Sequence, residues 1–295
     1  MKKITAEEFE IFVKRDPAWA SKLSEPVEIT NYCPLSHSPI THLSPLLHFT
    51  GLNVLEESAS FHYCHALKIA EGNFRGAVSF VGSNIEMIGE LCIAHTDSDG
   101  RSASFMQCRN LKTAQGTFPG HVTFSDSGVE KIVNLNIRRP SSGFVASFEG
   151  CKALKVAEGT FSGSVLFNCS GVRTIGNLNV EKADESGDAA LFYRCRRLKV
   201  AKGNFAGYVD FSCSGIERIG DLFVTGTKKG KKLGIEGCGN LRMVPANFKA
   251  SEIEWGEDWE HTIAPKAHKN VKRIIEDLKR RGIVRQLRNE PSMEI

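Results

Sequence analysis

No stretch of this chain stays apolar long enough to span a bilayer. The opening "MKKITAEEFEIF" begins basic but turns acidic at once, so the apolar core of a signal peptide is missing. Catalytic signatures are missing too: there is no Walker loop, no G-x-S-x-G, no H-E-x-x-H and no C-x-x-C pair. These absences lead us to expect a cytoplasmic protein that does not insert into membranes, is not an enzyme and carries no cofactor or metal. Tryptophan and tyrosine are scarce, at 3 and 4, whereas phenylalanine reaches 18. With 41% hydrophobic and 24% charged residues, the 295-residue chain has the make-up of a folded protein. Its nine cysteines, an odd number, are read as free thiols of a reducing compartment.

What is present is a repeat. "FHYCHALKIAEGNF" from Phe61 returns as "FMQCRNLKTAQGTF", "FEGCKALKVAEGTF" and "FYRCRRLKVAKGNF", and more faintly as "IEGCGNLRMVPANF" from Ile235. Cys64, Cys108, Cys151, Cys195 and Cys238 are spaced 44, 43, 44 and 43 residues apart. A period this strict predicts stacked modules. Each module has two related halves: Phe148-x-x-Cys151-x-x-Leu154-x-x-Ala157 is echoed by Phe167-x-x-Ser170-Gly171-Val172-x-x-Ile175-x-x-Leu178-x-Val180. A half is one short rung, long enough for strand and turns but not for a long helix. Gly72, Gly116, Gly159 and Gly203 are expected at turns. Lengths vary in "HTDSDGRSA", "RRPSSGFVA" and "EKADESGDAA", read as loops on one side.

The F-x-x-C-x-x-L-x-x-A register, in five copies over about residues 61–248, resembles the BspA-type leucine-rich repeat. It departs from that pattern with Ala at 70, 114, 157 and 201, with Pro only at 245, and in its alternating halves. The resemblance implies a curved solenoid with a parallel sheet on one face, and binding rather than catalysis.

We therefore expect a mainly β repeat solenoid of short rungs with helical N- and C-terminal caps. Residues 1–60 would form a helical cap and a degenerate first rung, 61–248 about four and a half double-rung repeats, and 249–295 a C-terminal cap. Thr5 and Glu8 make a capping box ahead of Phe9, Phe12 and Val13. Ile40, Leu43 and Leu46 carry the spacing of the degenerate rung. At the far end, Ala267, Val271, Ile274, Ile275 and Leu278 share one helical face, with Lys266, Lys269, Lys272, Arg273 and Arg280 opposite. Nine Lys/Arg against two acids between Lys266 and Arg288 put +7 there, leaving −3 over the rest of a chain of net charge +4.

Three groups are candidates for chemistry. One is the basic column Lys68, Lys112, Lys155, Lys199 and Arg242, interleaved in the alternate halves by Glu86, Glu130, Arg173 and Glu217. Rungs about 4.8 Å apart turn this into a ladder of opposite charges. It fails only at Lys155, Arg173 and Lys199, which with Arg196 and Arg197 form the expected partner-binding patch. Another is the cysteine column, whose members, about 9.6 Å apart, are too distant for disulfides and are read as packed turn residues. The last is Cys33, His37, His42 and His48, of zinc-binding types but with no recognised spacing, read as ordinary residues of the N-terminal region. The expectation is thus a protein-protein interaction scaffold, an adaptor or an inhibitor, that binds its partner through the solenoid face and the inter-rung loops. The alternative is a nucleic-acid-associated protein using the basic helix for phosphate contacts.

Overall fold

The computed structural model describes residues 1–137, 143–245, 247–256 and 276. The chain winds as a parallel β solenoid. Short strands of two to four residues stack into an eleven-stranded sheet, from Cys33–Pro34 to Ile253–Glu254. On another side stack a five-stranded sheet, Lys2–Ile4 to Met87–Ile93, whose first three strands have three residues each, and a six-stranded sheet of six- and seven-residue strands, Thr113–Phe118 to Arg218–Val224. Strands therefore line two sides of the coil and not one face, because the residues before each phenylalanine pair across rungs as well. The pairing reaches outward to Lys2 and Glu254, beyond the 61–248 register. The basic helix expected over 266–288 lies outside the described residues, apart from Glu276.

Why this sequence coils is visible in one module. Phe148, Cys151, Leu154, Ala157, Phe161 and Val165 all point inward and are fully buried. The phenylalanines that open successive rungs stack face to face, from Phe61 through Phe80, Phe105, Phe124, Phe148, Phe167 and Phe192 to Phe211, at centroid separations of 4.9–5.5 Å. Their rings follow the rung spacing, so one column carries the aromatic core along the solenoid.

Adjacent rungs complement each other in size. Ala70, Ala114, Ala157 and Ala201 each pair with an isoleucine (Ile88, Ile132, Ile175, Ile219), and the four glycines two places on pair with leucines. Small therefore sits beside large, which accounts for alanine throughout that column. Gly72, Gly116, Gly159 and Gly203 do not mark turns. They lie within strands at register shifts, with φ between 117° and 141°, and absorb the extra residue of the seven-residue strand beside them. That conformation suits glycine.

At the N-terminus the helix Ala6–Arg15 has the expected reciprocal capping box of Thr5 and Glu8, and buries Phe9 and Val13. Phe9 meets Phe49 edge-on at 5.9 Å. Ile40 and Leu43 are buried as expected, but the next inward residue is Leu47 and not Leu46, because an extra residue precedes this strand.

Candidate functional site

The column cysteines are structural. Each thiol is buried and donates to the main-chain carbonyl of the residue that opens the preceding rung: Cys64 to Leu35, Cys108 to Phe80, Cys151 to Phe124, Cys195 to Phe167 and Cys238 to Phe211, all at 2.9–3.1 Å. Serine takes the place in alternate rungs, so that Ser127, Ser170 and Ser214 lie within 3.4, 3.3 and 3.7 Å of the next cysteine sulfur. Burial pushes the thiols up, to about 11 for Cys64, Cys151, Cys195 and Cys238 and about 12 for Cys108. A thiol held neutral in this way is a weak nucleophile and a hydrogen-bond donor. Cys169 and Cys213 stand outside this column, one residue before the serines, with left-handed φ of 57° and 58° and their side chains at least partly exposed.

Cys33, His37, His42 and His48 are not brought together. Cys33 is buried in the eleven-stranded sheet and its thiol is raised by burial, while His48 belongs to the three-residue strand Leu47–Phe49 of the five-stranded sheet on another side. His37 stacks on Tyr63 at 5.3 Å. No cluster of three or more His, Cys, Asp or Glu able to hold a metal is found among the described residues.

The charge ladder forms as its alternation requires. Lys68 pairs with Glu86 at 2.6 Å, Glu130 lies between Lys112 and Lys155 at 3.1 and 3.2 Å, and Lys199 pairs with Glu217 at 2.6 Å. The lysines, Lys112 first, hold the Glu130 carboxyl below its ordinary value, and Lys199 does the same for Glu217. Lys155 and Lys199 are thus neutralised by rungs on either side, and Arg173 stands between them with no ion pair to any described residue.

Arg196 and Arg197 belong to a different strip, the turn edge where each short strand bends into a long one. Here the structure adds two residues that the strand-start column could not reveal. Lys152 sits after Cys151 as Arg196 sits after Cys195, and Arg194 occupies the left-handed position before Cys195 at φ 59°. Lys152, Arg194, Arg196 and Arg197, all exposed, line a cleft of about 440 Å³ with Cys169, Ser170 and Gly171. Lys152 donates its ammonium to the Cys169 carbonyl, and the Arg194 guanidinium lies 5.0 Å from the Tyr193 ring. Among the described residues none of the four cations is in an ion pair, and no acid lines the cleft. Apart from Arg196 and Arg197, the signal in the sequence was the pair of residues flanking each column cysteine.

Three lysines of the loop 227–232, Lys228, Lys231 and Lys232, are engaged. Lys228 meets the buried Asp188 at 2.7 Å and Lys232 meets Glu252 at 3.1 Å. Among the described residues, no helix is long and apolar enough to cross a membrane. No known family, no curated protein and no solved structure matches the chain.

Proposed function

We propose that this chain is a non-catalytic protein-interaction scaffold, an adaptor or an inhibitor, that receives an acidic surface of its partner along the turn edge. The carrying observation is the contrast in charge. The strand-start ladder pairs its lysines with acids and leaves only Arg173 of its middle rungs without an ion pair, whereas Lys152, Arg194, Arg196 and Arg197 on the turn edge all lack a paired acid among the described residues. Unpaired cations gathered on a rigid support attract and orient an acidic partner. Exposed Met87, Val133 and Phe223, at 47%, 36% and 57%, give the long-strand side apolar contacts to add. Nine free thiols suit a reducing compartment, and we place the protein in the cytoplasm. The likeness to leucine-rich repeats rests on the F-x-x-C-x-x-L register and agrees with a binding role.

The test is affinity capture from the native cell with the wild-type chain and with Arg173→Glu/Arg196→Glu/Arg197→Glu. A protein retained by the wild type and lost by the variant supports the scaffold. Equal retention by both refutes the turn edge as its contact. The nucleic-acid alternative makes a separate forecast: binding that falls steeply with salt and vanishes when residues 266–295 are deleted.

A further inference from the structure

The cleft at the turn edge has a built floor. Gly171 lies between Lys152 and Arg196, which occupy the same place on turns two rungs apart, about 9.6 Å by strand spacing. A Cβ on Gly171 would fall 1.9 Å from the Lys152 carbonyl oxygen, so packing forbids any side chain there. Gly171 is buried against the Lys152 main chain, with its N–H donated to the Cys151 carbonyl at 2.9 Å, and a cation stands on each side of it. Arg194 and Arg197 add two more from the rung that carries Arg196.

The solenoid supplies its own control. The same close approach recurs at Gly128, where a Cβ would meet the Arg109 carbonyl oxygen at 1.9 Å, and Arg109 and Lys152 flank it as Lys152 and Arg196 flank Gly171. There, however, the left-handed position is Asp126, an anion, where the Gly171 turn has Cys169. The residues equivalent to Arg194 and Arg197 in the module of Lys152 are Gly150 and Ala153, and in the module of Arg109 they are Gln107 and Asn110. The fold is thus built equally well without cations at these places. Grouping four of them with no counter-charge costs repulsion, and nothing in the packing requires it.

We propose that the cleft over Gly171 binds a phosphoryl group, and, resting on the scaffold reading above, that this group is carried by a phosphorylated side chain of the partner. Three guanidinium forks and one ammonium exceed what a single carboxylate can satisfy. A phosphoryl group offers three acceptor oxygens and close to two negative charges at neutral pH. Arginine matches that geometry through paired N–H donors, and the lysine adds a point charge. The N–H groups of Cys169, Ser170 and Gly171 are already donated to the Tyr193, Phe167 and Cys151 carbonyls, so the contacts to the group come from the four cationic side chains.

The experiment titrates the full chain by calorimetry with a peptide bearing one phosphoserine among neutral residues. The same peptide unphosphorylated, the same peptide with glutamate at that position, and inorganic phosphate are titrated in parallel. The expected result is saturable binding of the phosphopeptide, none of the unphosphorylated form, and roughly tenfold to a hundredfold weaker binding by Arg196→Ala/Arg197→Ala. Arg109→Ala, at the control turn, should leave the affinity unchanged. All three side chains are exposed, and circular dichroism checks that each variant is folded. Equal binding of the phosphorylated and glutamate peptides, or affinity retained by the double variant, overturns the phosphoryl site. Inorganic phosphate binding as tightly as the peptide would make the source a free phosphate and overturn the phosphorylated-partner assignment. Should capture of a protein partner still depend on Arg196 and Arg197 while no phosphopeptide binds, the phosphoryl site falls and the scaffold stands. If the phosphopeptide binds but no protein is captured, the phosphoryl site stands and the scaffold falls.

Discussion

Replacing Phe148 by alanine tests whether one aromatic column carries the solenoid. Its ring is fully buried and lies 5.2 Å from both Phe124 and Phe167, with interplanar angles of 6° and 9°, while Phe161 meets it edge-on at 6.4 Å. Deleting a buried phenylalanine side chain costs about 3–5 kcal/mol through lost transfer energy and the cavity left behind. Each lost aromatic pair is worth about 0.5–1.5 kcal/mol beyond area burial, so the upper end, about 5 kcal/mol, is expected. Stability in a stacked array is largely a sum of rung and interface contributions, and this substitution weakens two interfaces at once. Urea unfolding followed by far-ultraviolet circular dichroism provides the measurement. The midpoint should fall steeply, and a transition split into two steps would show the halves uncoupling at this rung. Phe223→Ala is the comparison, since that ring is 57% exposed and should shift stability by no more than about 0.5 kcal/mol. A loss below about 2 kcal/mol for Phe148→Ala would mean that the coil does not depend on this column.

Thiol labelling of the native protein at pH 8 should modify Cys92, Cys169 and Cys213 and spare the six buried cysteines, all nine reacting once urea is added. Rapid native labelling at Cys151 or Cys195, read by mass spectrometry, would contradict their hydrogen-bonded burial. Gly128→Ala should destabilise by several kcal/mol because its Cβ meets the backbone of Arg109, whereas Gly220→Ala, with nothing nearer than 3.4 Å, should be neutral or gain about 0.4–1 kcal/mol. Thermal melts of the two variants decide this. Glu130 and Glu217 have carboxyls lowered from 4.5 by their lysines, so their stabilisation is complete above the ordinary value and is lost as pH falls through the lowered one. Glu130→Gln should therefore lose less stability than the wild type between pH 7 and pH 3. The difference should shrink in high salt, since the pairs are exposed.

Most of the fold was legible because the residues that build it repeat. The cysteine interval, the opening phenylalanine and the alternating charges each appear often enough to fix a register. The structure turns those regularities into a thiol-to-carbonyl ladder, a ring stack and a chain of ion pairs. The second line of strands was not legible, since segments such as Ser164–Leu166 span only three residues and too few alternations to stand apart from a turn. Gly159 misled for a related reason: the sequence shows that positive φ is favoured but not whether a turn or a bulge requires it. Leu46 was displaced by one place because the first rung carries an extra residue that a period of three cannot register.

The candidate site was legible only in part, and the cause lies in where the charges sit. Reading down the strand-start column brought Lys155, Arg173 and Lys199 together, yet neighbouring rungs supply Glu130 and Glu217 to two of them. The uncompensated group instead runs around the turn, through Lys152, Arg194, Arg196 and Arg197, in positions that carry no common residue type from module to module. In a coil whose modules share one packing solution, the constant positions are constrained by that solution and report on it. A position that accepts histidine, arginine, lysine or glycine in successive modules, as the place after the column cysteine does at His65, Arg109, Lys152, Arg196 and Gly239, is unconstrained by packing. Cations concentrated there, against their mutual repulsion, are what the proposed phosphoryl site accounts for.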